Sequence, residues 1–212
     1  MSIDNSESIF YAHTKLPTEH GEFDLRILER DGREHLVMSQ GNLRDQEGVL
    51  VRVHSECLTS EVFGSLKCDC KAQLDLALSR VADEGQGCVI YLRQEGRGIG
   101  LGNKIRAYAL QEQGVDTVDA NRMLGLEDDL RTYEAAAEML NALGVKSVRL
   151  MTNNPEKIQG LAELGIQIEQ RVHTIAGINQ VNRGYIETKV RRMSHLINDD
   201  ALDIDSKRRC AV

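Results

Sequence analysis

Apolar and polar positions divide this chain into segments of two kinds. FDLRIL (23–28) and EHLVMSQ (34–40) read as strands, and the Asp31-Gly32 pair between them marks a tight turn. GVLVRVHS (48–55) is a third strand. From Cys70 the spacing becomes helical, with Leu74, Leu78, Val81 and Ala82 recurring on one face until Gly85 stops the run. GCVIYLRQ (87–94) is a buried-type strand, and a second helix is expected to open near Asn103 as N-cap, with Ile105, Tyr108 and Ala109 on one face. RTYEAAAEMLNALG (131–144) predicts a helix ended by its glycine, VKSVRLMT (145–152) a strand, and NNPEKIQGLAELG (153–165) a helix with Pro155 in its first turn. IQIEQRV (166–172) is another strand and NQVNRGYIETKVRRMSHLI (179–197) a closing helix.

Strands alternating with helices predict a single α/β domain. The expected architecture is a mixed β-sheet flanked by helices in three α/β/α layers, antiparallel in its N-terminal part and mainly parallel in its core. It spans 1–197, followed by a polar, frayed tail at 198–212. Two prolines and no linker-like stretch argue against two domains. A chain of 212 residues buries roughly 70% of its unfolded surface and needs no staples. No apolar run reaches the ~18 residues of a membrane span, and MSIDNSESIFYAH lacks the basic and apolar regions of a secretory signal. The expected compartment is the cytoplasm, where thiols are reduced. A net charge of −7 disfavours a general grip on nucleic acid, so a phosphorylated ligand would need a local cationic pocket.

HSECLTSEVFGSLKCDCKAQ (54–73) gathers Cys57, Cys68 and Cys70, three of five cysteines, at C-x10-C-x-C spacing. They are buried apolar thiols, a disulfide, or a metal site, and a reducing compartment disfavours the disulfide. Thiols at i and i+2 of an extended segment face one side, and a third from a preceding loop completes a soft set suited to tetrahedral zinc. His54 or Cys88 could close such a site structurally, and water in the fourth position would make it catalytic. The cluster alone leaves both open.

Three further stretches carry candidate chemistry. QEGRGIGLGNKIRAY has glycines at 96, 98, 100 and 102 among Arg93, Arg97, Lys104 and Arg106. It is a flexible turn or a loop whose N–H groups, with the helix beyond, meet an anion. In LGLEDDLRTYE, Asp128 or Asp129 could cap a helix beginning near Arg131. In MTNNPEKIQ, Lys157 opposes the dipole of its own helix, which marks either a functional charge or a solvated surface lysine.

Taken in order, RVHSEC from Arg52, the C-x10-C-x-C set, RQEGRGIGLGNKIRAYALQ, Asp129-x-Arg131, TNNPEK from Thr152 and YIETKVRRMSHL closely resemble the GTP cyclohydrolase II family, over roughly residues 14–197. The resemblance implies a stand-alone enzyme of riboflavin biosynthesis. It would convert GTP and water to formate, pyrophosphate and 2,5-diamino-6-(5-phosphoribosylamino)pyrimidin-4(3H)-one. It implies zinc on Cys57, Cys68 and Cys70 with an open water position, whose hydroxide attacks guanine C8, and Mg²⁺ on the triphosphate. Arg131 is implied as nucleophile at the α-phosphorus, although a guanidinium stays protonated and an electrostatic clamp fits the same position. Asp129 is implied as proton acceptor and Tyr108 as a participant in the ring chemistry. GTP contacts carry over onto Arg52, Val53, His54, Ser55, Glu56, Gln73, Glu95, Gly96, Arg97, Thr117, Thr152 and Lys157. Among these, Glu95 would read the guanine N1–H and 2-amino donors, and Arg97 and Lys157 would supply the local cations. A homodimer with no nucleic-acid or membrane partner is expected. The alternatives are a family member that stops at the formamide intermediate and a nucleotide-binding module with a closed Cys₃His zinc site.

Overall fold

The computed structural model describes residues 9–193 and 195–197. Strands β1 (Ala12–Thr18), β2 (Gly21–Arg30) and β3 (Arg33–Gln40) form an antiparallel meander. Its second turn is the Asp31-Gly32 pair, with φ of 52° and 69°. β4 (Val49–Ser55) leads to the one-turn α1 (Leu58–Glu61) and then α2 (Cys70–Glu84). β5 (Gly87–Leu92) follows, then α3 (Leu101–Gln111), α4 (Thr117–Met123), α5 (Glu134–Ala142), β6 (Val148–Met151), α6 (Pro155–Glu163), β7 (Ile168–Val172) and α7 (Arg183–Met193).

All seven strands join one sheet in the order β1-β2-β3-β5-β4-β6-β7. β3 meets β5 antiparallel, whereas β4 pairs with β5 and β6, and β6 with β7, in parallel. The period-two rule divides the core between the sheet's two faces. Val49, Val51 and Val53 of β4 and Ile90 and Leu92 of β5 pack with Ala136, Met139 and Leu140 of α5 and Leu161 of α6. Leu50 and Val89 point the other way, onto Ala77, Leu78 and Val81 of α2. Helices thus cover both faces, as the alternation of elements predicts.

Several boundaries differ from expectation. β1 is an added edge strand, and α1 and α4 are added helices. α3 starts at Leu101 with Gly100, at φ 85°, in the capping position, while Asn103 lies inside the helix and donates to Ile99 O. Its buried face carries Lys104 and Ala107, and Ile105 and Ala109 are exposed. α5 begins at Glu134, so neither Asp128 nor Asp129 caps it. The closing helix is shorter than 179–197, and the expected frayed tail at 198–212 lies outside the described residues.

Loops leaving the carboxyl ends of β4, β5 and β6 carry the cysteine, glycine and TNNPEK motifs, so the parallel part of the sheet delivers three motifs to one edge. Leu140 is fully buried in the larger core. Leu140→Ala should lower the urea unfolding free energy by about 2–5 kcal/mol with an unchanged m-value.

Candidate active site

The three cysteines converge from two sides of α1. Cys57 precedes α1, Cys68 lies in the following loop and Cys70 opens α2. Their sulfurs lie within 4.8 Å of one another, with Cys57 and Cys68 at 3.6 Å. Tetrahedral thiolates at ~2.3 Å from zinc stand about 3.8 Å apart, so the donor set fits that ion. Neither candidate for a closing ligand joins the set among the described residues. Cys88 is buried in the core, and burial pushes its thiol up to about 12. His54 turns Nε2 to Glu61 Oε1 at 2.7 Å. Lys104 reaches Cys57 Sγ at 3.1 Å, Thr59 Oγ1 at 2.9 Å and Glu95 Oε1 at 2.8 Å. Hydrogen bonds from Cys68 and Cys70, then the Lys104 ammonium, pull the Cys57 thiol down. Burial works against the Lys104 charge, but Glu95 and Cys57 raise its pKa on balance.

Beyond the sulfurs the pocket is cationic. Arg52, inside β4, donates Nη1 to Met151 O at 2.8 Å and Nη2 to Gln73 Oε1 at 2.5 Å. Lys157 is buried, not a solvated surface lysine, and donates to Val53 O at 2.5 Å. Neither makes an ion pair among the described residues. Burial lowers Arg52 to about 10, and burial, then Arg52 and Arg131, press Lys157 well below the usual lysine range. A buried charge without a counter-charge is strongly unfavourable, so an anionic ligand would answer the Arg52 charge and favour the protonated form of Lys157. Arg131 differs: Asp129 accepts its Nε at 2.9 and 3.0 Å and its backbone N–H at 2.9 Å. Despite burial, this carboxylate raises the Arg131 pKa.

The glycine loop does two things. Its Glu95–Gly98 turn holds Gly96 at φ 62° and Arg97 at φ 59°. A Cβ on Gly98 would lie 2.9 Å from Leu130 Cβ, and Leu130 N donates to Arg97 O at 2.9 Å. Gly98 therefore lets the Asp129–Arg131 segment lie against the loop. The Glu95 carboxylate accepts Leu58 N at 2.7 Å and Gly96 N at 2.8 Å in addition to Lys104. Of the four interleaved bases, Arg97 and Lys104 line the pocket; Arg93 and Arg106 are exposed and bond Glu56 and Asn103.

One pocket brings together Arg52, His54, Ser55, Glu56, the three cysteines, Gln73, Glu95, Gly96, Arg97, Tyr108, Arg131, Thr152 and Lys157. Val53 is not among its walls, since its side chain is in the core and its carbonyl is taken by Lys157. Asp129 faces a neighbouring hollow with Tyr133 and Glu156. Thr117 opens α4, and its side chain lies outside the described set. Five of the six buried side-chain atoms left without a partner among the described residues belong to pocket residues: Arg52 Nε, His54 Nδ1, Ser55 Oγ, Arg97 Nη1 and Asn154 Nδ2. The pattern is that of a polar surface awaiting a ligand.

The family model for GTP cyclohydrolase II matches residues 10–173. The chain belongs to the GTP cyclohydrolase II family. It is 50% identical over 194 residues to GTP cyclohydrolase-2 of Acinetobacter baylyi, across 90% of this chain and 97% of that protein. It is 49% identical over 194 residues to GTP cyclohydrolase-2 of Pseudomonas putida, across 91% and 95%. It is also 50% identical over 192 residues to the riboflavin biosynthesis protein RibBA of Chlamydia trachomatis, covering 89% of this chain and 45% of that longer one.

Sequence reasoning counted Lys104 only among the cations of the glycine loop and assigned no individual role in the GTP cyclohydrolase II pocket to Asn121, Tyr185, Lys189 or His195. The last three lie beyond residue 173, in the YIETKVRRMSHL motif that carried the resemblance. Zinc is expected at about one ion per chain in wild type, with binding to Cys70→Ser at least tenfold weaker, measured by chelator competition. The three cysteines lie outside both core clusters, so cooperative thermal unfolding should persist in that variant.

Proposed function

We propose that this chain hydrolyses GTP in riboflavin biosynthesis. It would open the imidazole ring and release formate and pyrophosphate to leave 2,5-diamino-6-(5-phosphoribosylamino)pyrimidin-4(3H)-one. The observation that carries this reading is that one pocket brings the three thiols together with the cations Arg52, Arg131 and Lys157. Two bond-breaking events, at the purine and at the α-phosphorus, would draw on these two sets of groups.

Arg52 and Lys157 form no ion pair among the described residues, which suits a triphosphate carrying its own Mg²⁺, whose negative charge would favour the protonated form of Lys157 against its burial. Arg131 presents a planar fork whose charge Asp129 maintains. That supports an electrostatic clamp on charge developing at phosphorus over a deprotonated nucleophile. Cys57, Cys68 and Cys70 would hold zinc, which supplies Lewis acidity that brings water toward ionisation at neutral pH. Tyr108 lines the same pocket, 5.7 Å from ring centre to Lys104 Nζ, and burial first of all keeps its phenol protonated and able to donate. Glu61 accepts one nitrogen of His54, and the other, Nδ1, belongs to a residue of the pocket wall and suits a substrate or water proton. Glu95 offers about four acceptor positions, three already taken, so it supplies one of the two acceptors that the guanine edge needs. The rest of that edge falls to backbone or neighbouring polar groups.

Among the described residues no fourth sulfur or nitrogen joins the thiol set, which agrees with the open site of this reading. Homodimerisation and a cytoplasmic setting belong to the same proposal. Exposed Val62, Phe63 and Leu66 after α1 form apolar surface that a second copy could cover. Among the described residues no helix is long and apolar enough to cross a membrane.

Purified protein with GTP and Mg²⁺ should release formate and pyrophosphate in equal amounts. Pyrophosphate without formate would instead identify the formamide-stopping alternative. Arg131→Ala should lower both products by about 10²–10³ in kcat. Cys70→Ser should abolish formate while pyrophosphate continues, because Arg52, Lys157 and Arg131 remain. In this reading phosphate cleavage comes first, and formate release by Arg131→Ala at the wild-type rate would reverse that order. GTP should exceed ATP by at least roughly tenfold in kcat/KM, since adenine lacks the donors that a buried carboxylate accepts. Equal values would remove Glu95 from base recognition.

A further inference from the structure

The motif YIETKVRRMSHL carries part of the family resemblance, yet the proposed chemistry gives it no task. It lies beyond the residues that the family model matches. Its helix α7 is nevertheless part of the pocket, through Tyr185 and Lys189, and the segment after it adds His195. The contact that joins it to the chemistry is a buried ion pair, Lys189 Nζ to Asp69 Oδ1 at 2.8 Å. Asp69 is the residue between Cys68 and Cys70.

Asp69 occupies the N-cap of α2, where an aspartate ordinarily folds its carboxylate back onto the first free N–H groups of the helix. Here it makes no such bond. Its two oxygens are given instead to Lys189 Nζ and to the Gln73 side-chain amide. Gln73 passes the constraint on, accepting Arg52 Nη2 at 2.5 Å. A directional chain therefore runs Lys189–Asp69–Gln73–Arg52, with every donor and acceptor fixed in sense. A local preference set aside in favour of a distant partner is the sign of a second requirement.

A separate set of contacts presses the same C-terminal segment onto the cysteine loop. Gly177, at φ +69°, lies so close to α2 that an added Cβ would be 2.5 Å from Ala72 Cβ. Asn179 reaches Leu66 O at 3.5 Å, and its Oδ1 accepts the N–H groups of Val181 and Asn182. Lys189 itself lies 4.4 Å from the centre of the Tyr185 ring. Residues 177–189 are thus built onto the stretch 66–73 that holds two of the three sulfurs.

We propose that Lys189 is a positioning residue for the thiol site, acting through Asp69 to fix the backbone and side-chain directions of Cys68 and Cys70 and the orientation of Gln73 and Arg52. This rests on the reading of the three cysteines as a zinc site. Groups that orient metal ligands from behind typically change metal affinity 10–100-fold when removed.

The test is chelator competition for zinc, together with the absorption spectrum of the cobalt(II)-loaded protein, which reports ligand geometry. Lys189→Met should bind zinc about 10–100-fold more weakly than wild type, with a shifted cobalt spectrum and a cooperative thermal transition. Lys189→Arg, which keeps the charge, should restore affinity to within a few-fold. Asp69→Asn should resemble Lys189→Met, and the double substitution should be weaker than Asp69→Asn alone by less than about twofold, because the two side chains act as one unit. Should Lys189→Met fail to fold, the Lys189→Arg and Asp69→Asn pair decides the matter through the same two readouts. Unchanged zinc affinity and cobalt spectrum in Lys189→Met and Asp69→Asn would overturn the inference. A raised KM for GTP alone, with both metal readouts unchanged, would overturn it in favour of direct substrate contact. If wild type takes up no zinc, the zinc reading itself fails, an outcome recognisable without any variant.

Discussion

Arg52 sits on the inner strand β4 of the sheet, 7% exposed and in no ion pair among the described residues. A buried guanidinium is tolerated only when its donors are taken and its charge is answered. The protein meets the first demand in part, with a backbone carbonyl at the end of β6 on Nη1 and Gln73 of α2 on Nη2, and leaves Nε without a partner among the described residues. Gln73 can serve only because Asp69 fixes its amide, and Asp69 is itself secured by Lys189 from the far end of the chain. One uncompensated charge on a central strand thereby fixes the relative placement of β4, β6, α2 and α7. It leaves the second demand, an answering negative charge, to whatever enters the pocket.

The cations around the pocket fall into two groups. Lys104 pairs with Glu95 nine residues away and Arg131 with Asp129 two residues away, whereas Lys189 and Asp69 join segments 120 residues apart. A broken pair would strand a buried charge. Arg52 and Lys157 have no such partner among the described residues, and repulsion from Arg52 adds to the burial that lowers Lys157. A chain of net charge −7 thus keeps a local excess of positive charge at one edge of its sheet.

The sequence made the interior strands and long helices legible, because β4, β5, α2 and α5 have faces that bury apolar residues at a fixed period. β1 escaped notice since it is a sheet edge with mostly exposed positions, AHTKLPT, which carry no such period. The reading of α3 failed for a different reason. Its inward face holds Lys104, drawn in by Cys57, Thr59 and Glu95, so a hydrophobicity rule turned the helix the wrong way. Asp129 resembled a helix cap because aspartates before a helical run usually are; here its oxygens are spent on Arg131 two residues on. The cysteine triad was plain from spacing, whereas the support behind it, Lys104 on one flank and Asp69–Lys189 on the other, depends on tertiary contacts over 47 and 120 residues.

This distribution of charge also constrains the ligand's shape on the proposed reading. The thiol end is framed by Tyr108 and by a lysine whose charge is already balanced, so it suits a flat, uncharged ring. Arg52 and Lys157 are buried cations on the same pocket, and Cys70 acts electrostatically on both. On the proposed reading, phosphates beside these two side chains would supply the negative charge that their burial calls for. Charge alone would then not orient the base, and the hydrogen bonds proposed for Glu95 would have to share in setting the pose.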